Sequence, residues 1–358
     1  MIDQEFLDII QLIKKSHNSA LRAVNVELIN LYWNVGKRIS CKLSTANWGE
    51  KTVDELSIVI QKNHPELKGF NRRGIYRMKQ FYETYAAQDL DLKERLKIES
   101  TQNIDLEIVP SSRTQLEDIR KSLLAKLSWT HHRTIFTRCK SPQEIEFYVK
   151  TAIKENYSVK ELDRQISACS FERTMLGKVA FLPLLKTSYP EVANSFKDSY
   201  IFEFLNLSEF HNEEDLQKGL IQQMKNFVLE LGKDFTFIGE EYKLQVGNSD
   251  FYIDLLFYHR GLQCLVAFEL KIHEFKPEYL GQLNFYLEAL DRDIKKPNEN
   301  PSIGVLLCGG QDSEVVEYAL SRSLSPAMIA EYKTQLPDKK LLQQKFHQIF
   351  ENTMKSEK

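Results

Sequence analysis

Near the start of the chain, apolar residues recur at three- and four-residue steps: Ile10, Ile13, Leu21, Val24, Leu28 and Leu31. That is the period of an amphipathic helix. The same pattern predicts a second helix over 53–63 and a third over 73–85, after a break at Gly69-Phe70-Asn71. Over 86–112 the period lapses and the segment ends in Pro-Ser-Ser, which reads as a partly ordered connector.

Helical patterning resumes near 113. Ser141-Pro142-Gln143-Glu144 offers an N-cap serine, a proline at the first helical position and an acid at the third. Ser158-Val159-Lys160-Glu161 repeats the capping pattern and opens a short helix one turn after its predecessor ends. This skeleton fits a DNA-reading helix-turn-helix and any αα-hairpin alike.

The pattern changes after about 195. A helix is predicted over 213–231, with Leu216, Leu220, Met224, Phe227 and Leu231 on one stripe and Gly232 as its C-cap. Three strand-like runs follow: FTFIGEEYKLQV, FYIDLLFYH and LQCLVAFELK. A helix over 277–291, the apolar run SIGVLLC and a helix over 313–323 complete the order αβββαβα. The expected organisation is therefore α+β: a helical domain over 1–185, an α/β core over 195–340, and a C-terminal helix and tail over 341–358.

Composition narrows the function classes. The chain has 358 residues, enough for two domains, with 48 Lys and Arg against 50 Asp and Glu. Residues 1–200 hold 31 basic and 25 acidic residues, a net +6, and the remainder hold 17 and 25, a net −8. Such a division suits acids that hold metal ions in one half and a surface for a polyanion in the other. No apolar run reaches the roughly 20 residues of a membrane span. The opening MIDQEFLDIIQLIKK carries acids where a secretion signal would be basic, so a cytoplasmic location is expected. Five scattered cysteines, without a C-x-x-C pair, read as reduced thiols. Glycine-rich phosphate loops are missing from the sequence.

The candidate chemistry lies in 251–271. If residues 260 and 261 centre a hairpin turn, with Gly261 free to take positive φ, Asp254 faces Ala267 and has Glu269 as its diagonal neighbour. Asp254, Ala267, Glu269 and Lys271 then share one sheet face. A slip of one residue would send Asp254 to the other face. Both faces are otherwise apolar, so these charges need a mutual explanation. One is a divalent cation held by two carboxylates on adjacent strands, with Lys271 serving water or phosphate. The other is a structural ion-pair cluster. Gln282 and Tyr286, at i and i+4 on the next helix, are either contacts to a nucleic-acid backbone or a surface feature.

Asp254, Glu269-Leu270-Lys271 and Gln282-x-x-x-Tyr286, set in αβββαβ, resemble the PD-(D/E)XK nucleases. The run FYIDLLFYHRGLQCLVAFELKIHEFKPEYLGQLNFYLEALD is similar to the bacterial YhcG-like proteins, which join such a domain to an N-terminal helical one. VNVELINLYWNVGKRIS, NWGEKTVDELS, GFNRRGIYRMKQFY and LSWTHH extend the resemblance over most of the chain. It implies a restriction-endonuclease-like core with a mixed sheet, and metal-dependent hydrolysis of DNA phosphodiesters. It also implies Mg²⁺ or Mn²⁺ on Asp254 and Glu269, with Lys271 assisting the attacking water. The family's first-helix acid is replaced here by Gln217, and Glu213, one turn earlier, is the substitute expected to ligate metal. Glu240 and Glu241 stand where the family has a basic or amide pair.

Other features have two readings. Arg72, Arg73, Arg77 and Lys79, interleaved with Phe70, Tyr76, Phe81 and Tyr82, can grip phosphates and stack on bases, or form the solvated face of an amphipathic helix. His131 and His132 are read as loop or packing residues, and His259 and His273 as solvent-exposed. The expected partners are DNA, a second copy of the chain, and proteins docking on the helical domain. The expected alternatives to a DNA nuclease are a binding or assembly module on a nuclease fold, and an RNA-cleaving enzyme.

Overall fold

The computed structural model describes residues 4–44, 50–86, 96, 119–176, 195–208, 211–320 and 326–344. The expected connector over 86–112, apart from residues 86 and 96, and most of the C-terminal segment lie outside the described residues. The chain divides into two compact units, Met1–Ile166 and Ser167–Lys358. No helix among the described residues is long and apolar enough to cross a membrane.

The first unit is helical: α1 (Gln4–Ser44), α2 (Glu50–Asn63), α3 (Arg72–Ala86), α4 (Trp129–Arg138), α5 (Pro142–Lys154) and α6 (Val159–Ser167, its last residue lying past the division). Its centre is where α1 and α3 cross. Gly36 permits the approach, because a Cβ there would lie 2.1 Å from the Met78 carbonyl oxygen. Trp33 of α1 then meets Phe81 and Tyr82 of α3 edge-on, at 5.7 and 5.0 Å. Trp129 of α4 packs on Phe81 at 5.4 Å. Ser141 caps α5, its side chain accepting from the Glu144 amide at 3.1 Å, and the Ser158 side chain accepts from the Glu161 amide at 3.2 Å.

In the second unit, α7 (Ser170–Leu176), α8 (Glu213–Gln222) and α9 (Met224–Leu231) accompany β1 (Ser199–Ile201), β2 (Phe235–Val246), β3 (Ser249–His259), β4 (Cys264–Glu274), β5 (Asn300–Gly310) and β6 (Ala327–Lys333). Helix α10 (Tyr279–Ala289) precedes β5, and α11 (Ser313–Leu320) follows it. The sheet order is β1-β6-β5-β4-β3-β2. Strands β2, β3 and β4 run antiparallel, and β4, β5, β6 and β1 parallel, so the sheet is mixed. Each face is covered. Leu255, Phe257, Phe268 and Leu270 pack with Leu216, Leu220, Phe227 and Leu231 of α8 and α9. Leu256, Ala267 and Leu306 pack with Leu280, Leu283, Tyr286 and Leu287 of α10.

The expected helix over 213–231 is broken at Gln223, which leaves helical geometry at φ −106° and ψ 27°. The apolar stripe survives because α9 resumes at once. Strands β1 and β6 were not anticipated, being short and lacking clear alternation. The hairpin turn is longer than expected. His259 pairs with Cys264, so the turn spans residues 260–263, and Gln263 rather than Gly261 takes positive φ, at 53°. His259 is buried, not exposed: its Nδ1 accepts from the Leu262 amide at 3.0 Å, and its ring packs on Phe235 and Phe196.

His132 is fully buried in the first unit and accounts for one pH dependence. Its Nε2 donates to the Leu124 carbonyl at 2.9 Å, so Nδ1 accepts from the Tyr85 hydroxyl at 3.0 Å. Burial lowers its pKa to about 4 from the ordinary 6.5. A depressed histidine pKa means the unfolded state binds the extra proton, so stability present above pH 6.5 is lost as pH falls toward 4. Denaturant unfolding of the first unit should lose on the order of 3 kcal/mol over that window, and His132→Phe should remove most of the dependence.

Candidate active site

The register of the β3–β4 hairpin builds the site. Leu255 pairs with Phe268, so one step further Asp254 stands opposite Glu269. The sequence reading placed Asp254 opposite Ala267, two residues away. The longer turn causes the difference, and because it shifts the pairing by an even number, Asp254, Ala267, Glu269 and Lys271 still share a face.

Asp254 is half-buried. Its Oδ2 accepts from the Leu270 amide at 2.7 Å, and its carbonyl accepts from Gln217 Nε2 at 3.1 Å. Gln217 of α8 thus clamps the backbone of the strand that carries the aspartate. Glu269 is only 1% exposed, and its Oε1 has no hydrogen-bond partner. Burial raises its carboxyl to about 8, the Asp254 charge adds to the shift, and Lys271 opposes it. Burial likewise raises Asp254. Lys271 Nζ lies 3.7 Å from Glu269 Oε2 and 3.5 Å from Glu213 Oε2, over the Tyr279 ring at 5.7 Å. Burial lowers the lysine, but Glu269, Glu213 and Asp254 together outweigh it, and its pKa is raised. The ammonium therefore stays charged at neutral pH.

Among the described residues, no three His, Cys, Asp or Glu side chains are grouped to hold a metal by themselves. Glu213 reaches the site but engages Lys271 rather than joining the two strand carboxylates. Glu241 acts on Asp254 electrostatically from β2, where it takes a left-handed backbone at φ 42°. Two raised carboxylates, one with a bare buried oxygen, fit a divalent cation. Its charge would relieve their repulsion and its coordination would satisfy Oε1, with water and phosphate oxygens completing the shell.

Gln282 and Tyr286 sit on α10, on the face of the sheet that carries the site. That helix lies close because residue 304 is glycine: a Cβ there would be 2.7 Å from Leu283 Cγ. Gln282 Nε2 donates to the Tyr286 hydroxyl at 2.7 Å. Tyr286 is buried, and Glu269 and Asp254 act on its hydroxyl, whereas Gln282 is exposed.

The predicted basic residues of α3 are in the first unit and divide by environment. Arg72 is paired with Asp54 at 2.8 Å and lies 5.8 Å over Tyr76, and Lys79 is paired with Glu83 at 2.7 Å. Arg73 and Arg77, one turn apart, have no ion pair among the described residues. Burial and the like charges of Arg133 and Arg73 lower Arg77. Arg133, on α4, was missed by the sequence reading. Only the packing of α4 on α3 brings it to this cluster, although its position one turn after Trp129 was visible. His131 and His132 do pack, His131 between Ser128 and the Tyr157 carbonyl.

Comparison with known proteins follows the same division. Residues 193–347 match the family model of the YhcG PDDEXK nuclease domain, and residues 8–173 match that of the DUF1016 N-terminal domain. A protein of Escherichia coli (strain K12) named "Putative nuclease YhcG" is 31% identical over 347 residues, spanning 93% of this chain and 90% of its own. A repair endonuclease from Pyrococcus abyssi aligns at 14% identity and TM-score 0.24, over 37% of this chain and 50% of its own. EndoMS in an EndoMS-dsDNA2 complex aligns at 16% and 0.25, over 37% and 48%. The chain spans about half the length of those two solved chains.

The burial of Glu269 has a measurable cost. With a folded pKa near 8 against an ordinary 4.5, the folded state holds a proton that the unfolded state gives up, so stability falls as pH rises from 4.5 to 8. In metal-free buffer at pH 8.5, Glu269→Gln should stabilise the second unit by on the order of a few kcal/mol. Thermal unfolding in chelator checks this, and the gain should shrink at pH 5.

Proposed function

We propose, from the premise that this chain belongs to the YhcG family of PDDEXK nuclease proteins, that it hydrolyses DNA phosphodiester bonds in a divalent-metal-dependent reaction. The observation that supports this most is the bare, buried Oε1 of Glu269 beside Asp254, with a charged lysine at the mouth. Buried carboxylate oxygens are as a rule hydrogen-bonded, so an unpartnered one set beside a second carboxylate favours a missing cation over a structural ion-pair cluster.

Asp254 and Glu269 would hold Mg²⁺ or Mn²⁺. When bound, such a cation polarises the phosphate and makes a bound water a better nucleophile. The chain's own residues set the rest. The Leu270 amide fixes one oxygen of Asp254, and Gln217 fixes the strand behind it, so the carboxylate is held before substrate arrives. Lys271, kept protonated by its carboxylate neighbours, donates hydrogen bonds to the attacking water or the phosphate and does not abstract a proton. Hydrolysis adds the water oxygen to phosphorus and breaks one P–O ester bond, and the departing oxygen takes a proton. Glu213 holds Lys271 in place, a role distinct from that of a metal ligand. Tyr286 positions Gln282, whose exposed amide is the partner for the DNA backbone.

Arg73, Arg77 and Arg133 of the helical unit, which have no ion pair among the described residues, suit phosphate contacts, which makes DNA recognition the reading for that unit. Retention of the fold as a binding module is disfavoured by the buried carboxylate pair, which would only repel a phosphate backbone.

Two measurements test the proposal. With Mg²⁺ or Mn²⁺, the native protein should cleave one or more of duplex, single-stranded and branched DNA. Asp254→Ala, Glu269→Ala and Lys271→Ala should each lower the rate by at least about a hundredfold. Cleavage of RNA alone, or DNA binding without cleavage of any substrate, would refute the reading. In DNA-binding titrations against salt, Arg73→Ala, Arg77→Ala and Arg133→Ala should each reduce the slope by ~0.9. An unchanged slope in all three would remove the helical unit from DNA recognition.

A further inference from the structure

Helix α1 has two apolar faces. Ile29 and Trp33, both fully buried, point into the helical unit. Leu21, Val24, Leu28 and Leu31 are 56%, 58%, 41% and 44% exposed. Toward the N-terminus, Phe6, Ile10 and Ile13 are 60%, 43% and 61% exposed. At 3.6 residues per turn this stripe lies about 140° round the helix from Ile29 and Trp33. From Phe6 to Leu28 it runs for about 33 Å. Helical residues in water do not hold such a stripe by their own propensity, so it needs a cover.

The order of residues along the stripe indicates the cover. Apolar positions are placed symmetrically about His17: Ile13 and Leu21 four residues to either side, Ile10 and Val24 seven, Phe6 and Leu28 eleven. Two copies of α1 laid antiparallel about a twofold axis at His17 would set these six residues against apolar partners, with His17 meeting its own copy at the axis and Leu31 lying beyond the paired set. Such self-complementarity is what an isologous interface requires. Charge favours the same arrangement. A parallel, in-register pair would stack Lys14 on Lys14 within the seam, whereas the antiparallel pair places Lys14 opposite Ala20 and Lys15 opposite Ser19. Each of the seven residues of the stripe is 41–61% exposed, leaving an extended apolar surface for a partner to cover.

We propose that this protein is a homodimer joined through an antiparallel pair of α1 helices, with Ile10 of each copy against Val24 of the other. The residues concerned face away from their own core, so substituting them leaves the helical unit folded.

Sedimentation velocity of the full chain tests this, with circular dichroism to confirm folding. The native protein should sediment as a dimer at micromolar concentration. Ile10→Glu alone and Val24→Lys alone should each weaken dimerisation by about a hundredfold or more, by burying a lone charge. The double variant Ile10→Glu, Val24→Lys should recover the dimer, because each glutamate then meets a lysine. A native monomer would overturn the proposal, as would a dimer indifferent to both single changes. Failure of the double variant to recover would overturn the antiparallel pairing, since a parallel pair sets glutamate on glutamate.

Discussion

Asp254 and Glu269 lie on adjacent strands just past the Leu255–Phe268 pair, in a sheet that is apolar on both sides, with one ammonium, Lys271, as their nearest counter-charge. Two like charges in a poorly solvated place cannot both be ionised cheaply, and the raised carboxyl of Glu269 expresses that. The surrounding structure follows from keeping the pair in register. Two layers of helices seal the sheet, the hairpin turn fixes the pairing, the Leu270 amide donates to one carboxylate oxygen of Asp254, and Gln217 donates to its backbone carbonyl. One oxygen of Glu269 is left over. A bound cation would supply the missing partner and the missing charge together, which would tie the cost in stability to the capacity for chemistry.

The helical unit is organised by a different constraint, the close crossing of α1 and α3 at Gly36. That crossing consumes one face of α1 and leaves the other to solvent. It also turns α3 so that Arg73 and Arg77 point outward, where α4 adds Arg133. A dimer through α1 would present the arginine cluster twice, a suitable arrangement for a long polyanion.

Much of this was legible in the sequence because it rests on local periodicity. The three strand runs were visible from their apolar patterning, and the shared face of Asp254, Glu269 and Lys271 from alternation. The pairing of Asp254 was placed two residues off because loop length is set by local turn geometry, here the positive φ of Gln263 and the cap from His259. Parity protected the face from that error. His259 was misjudged for the same reason: position in a turn says nothing of the aromatic rings that come to lie over it. Strand β6 and the residue Arg133 depend on contacts distant in sequence, which periodicity does not carry. The stripe on α1 was read correctly as a helical face, but pattern alone could not show that it is the face turned outward.

The most direct test of the account is calorimetric titration of Mn²⁺ into the metal-free protein at pH 6.5 and pH 9, in buffers of differing ionisation enthalpy. Close to one proton should be released per ion at pH 6.5 and almost none at pH 9, with tighter binding at the higher pH. Glu269→Gln should bind weakly and release none. Equal affinity and no proton release at both values would show that Glu269 is already ionised without metal, and would contradict the claim that its burial poises the site for a cation.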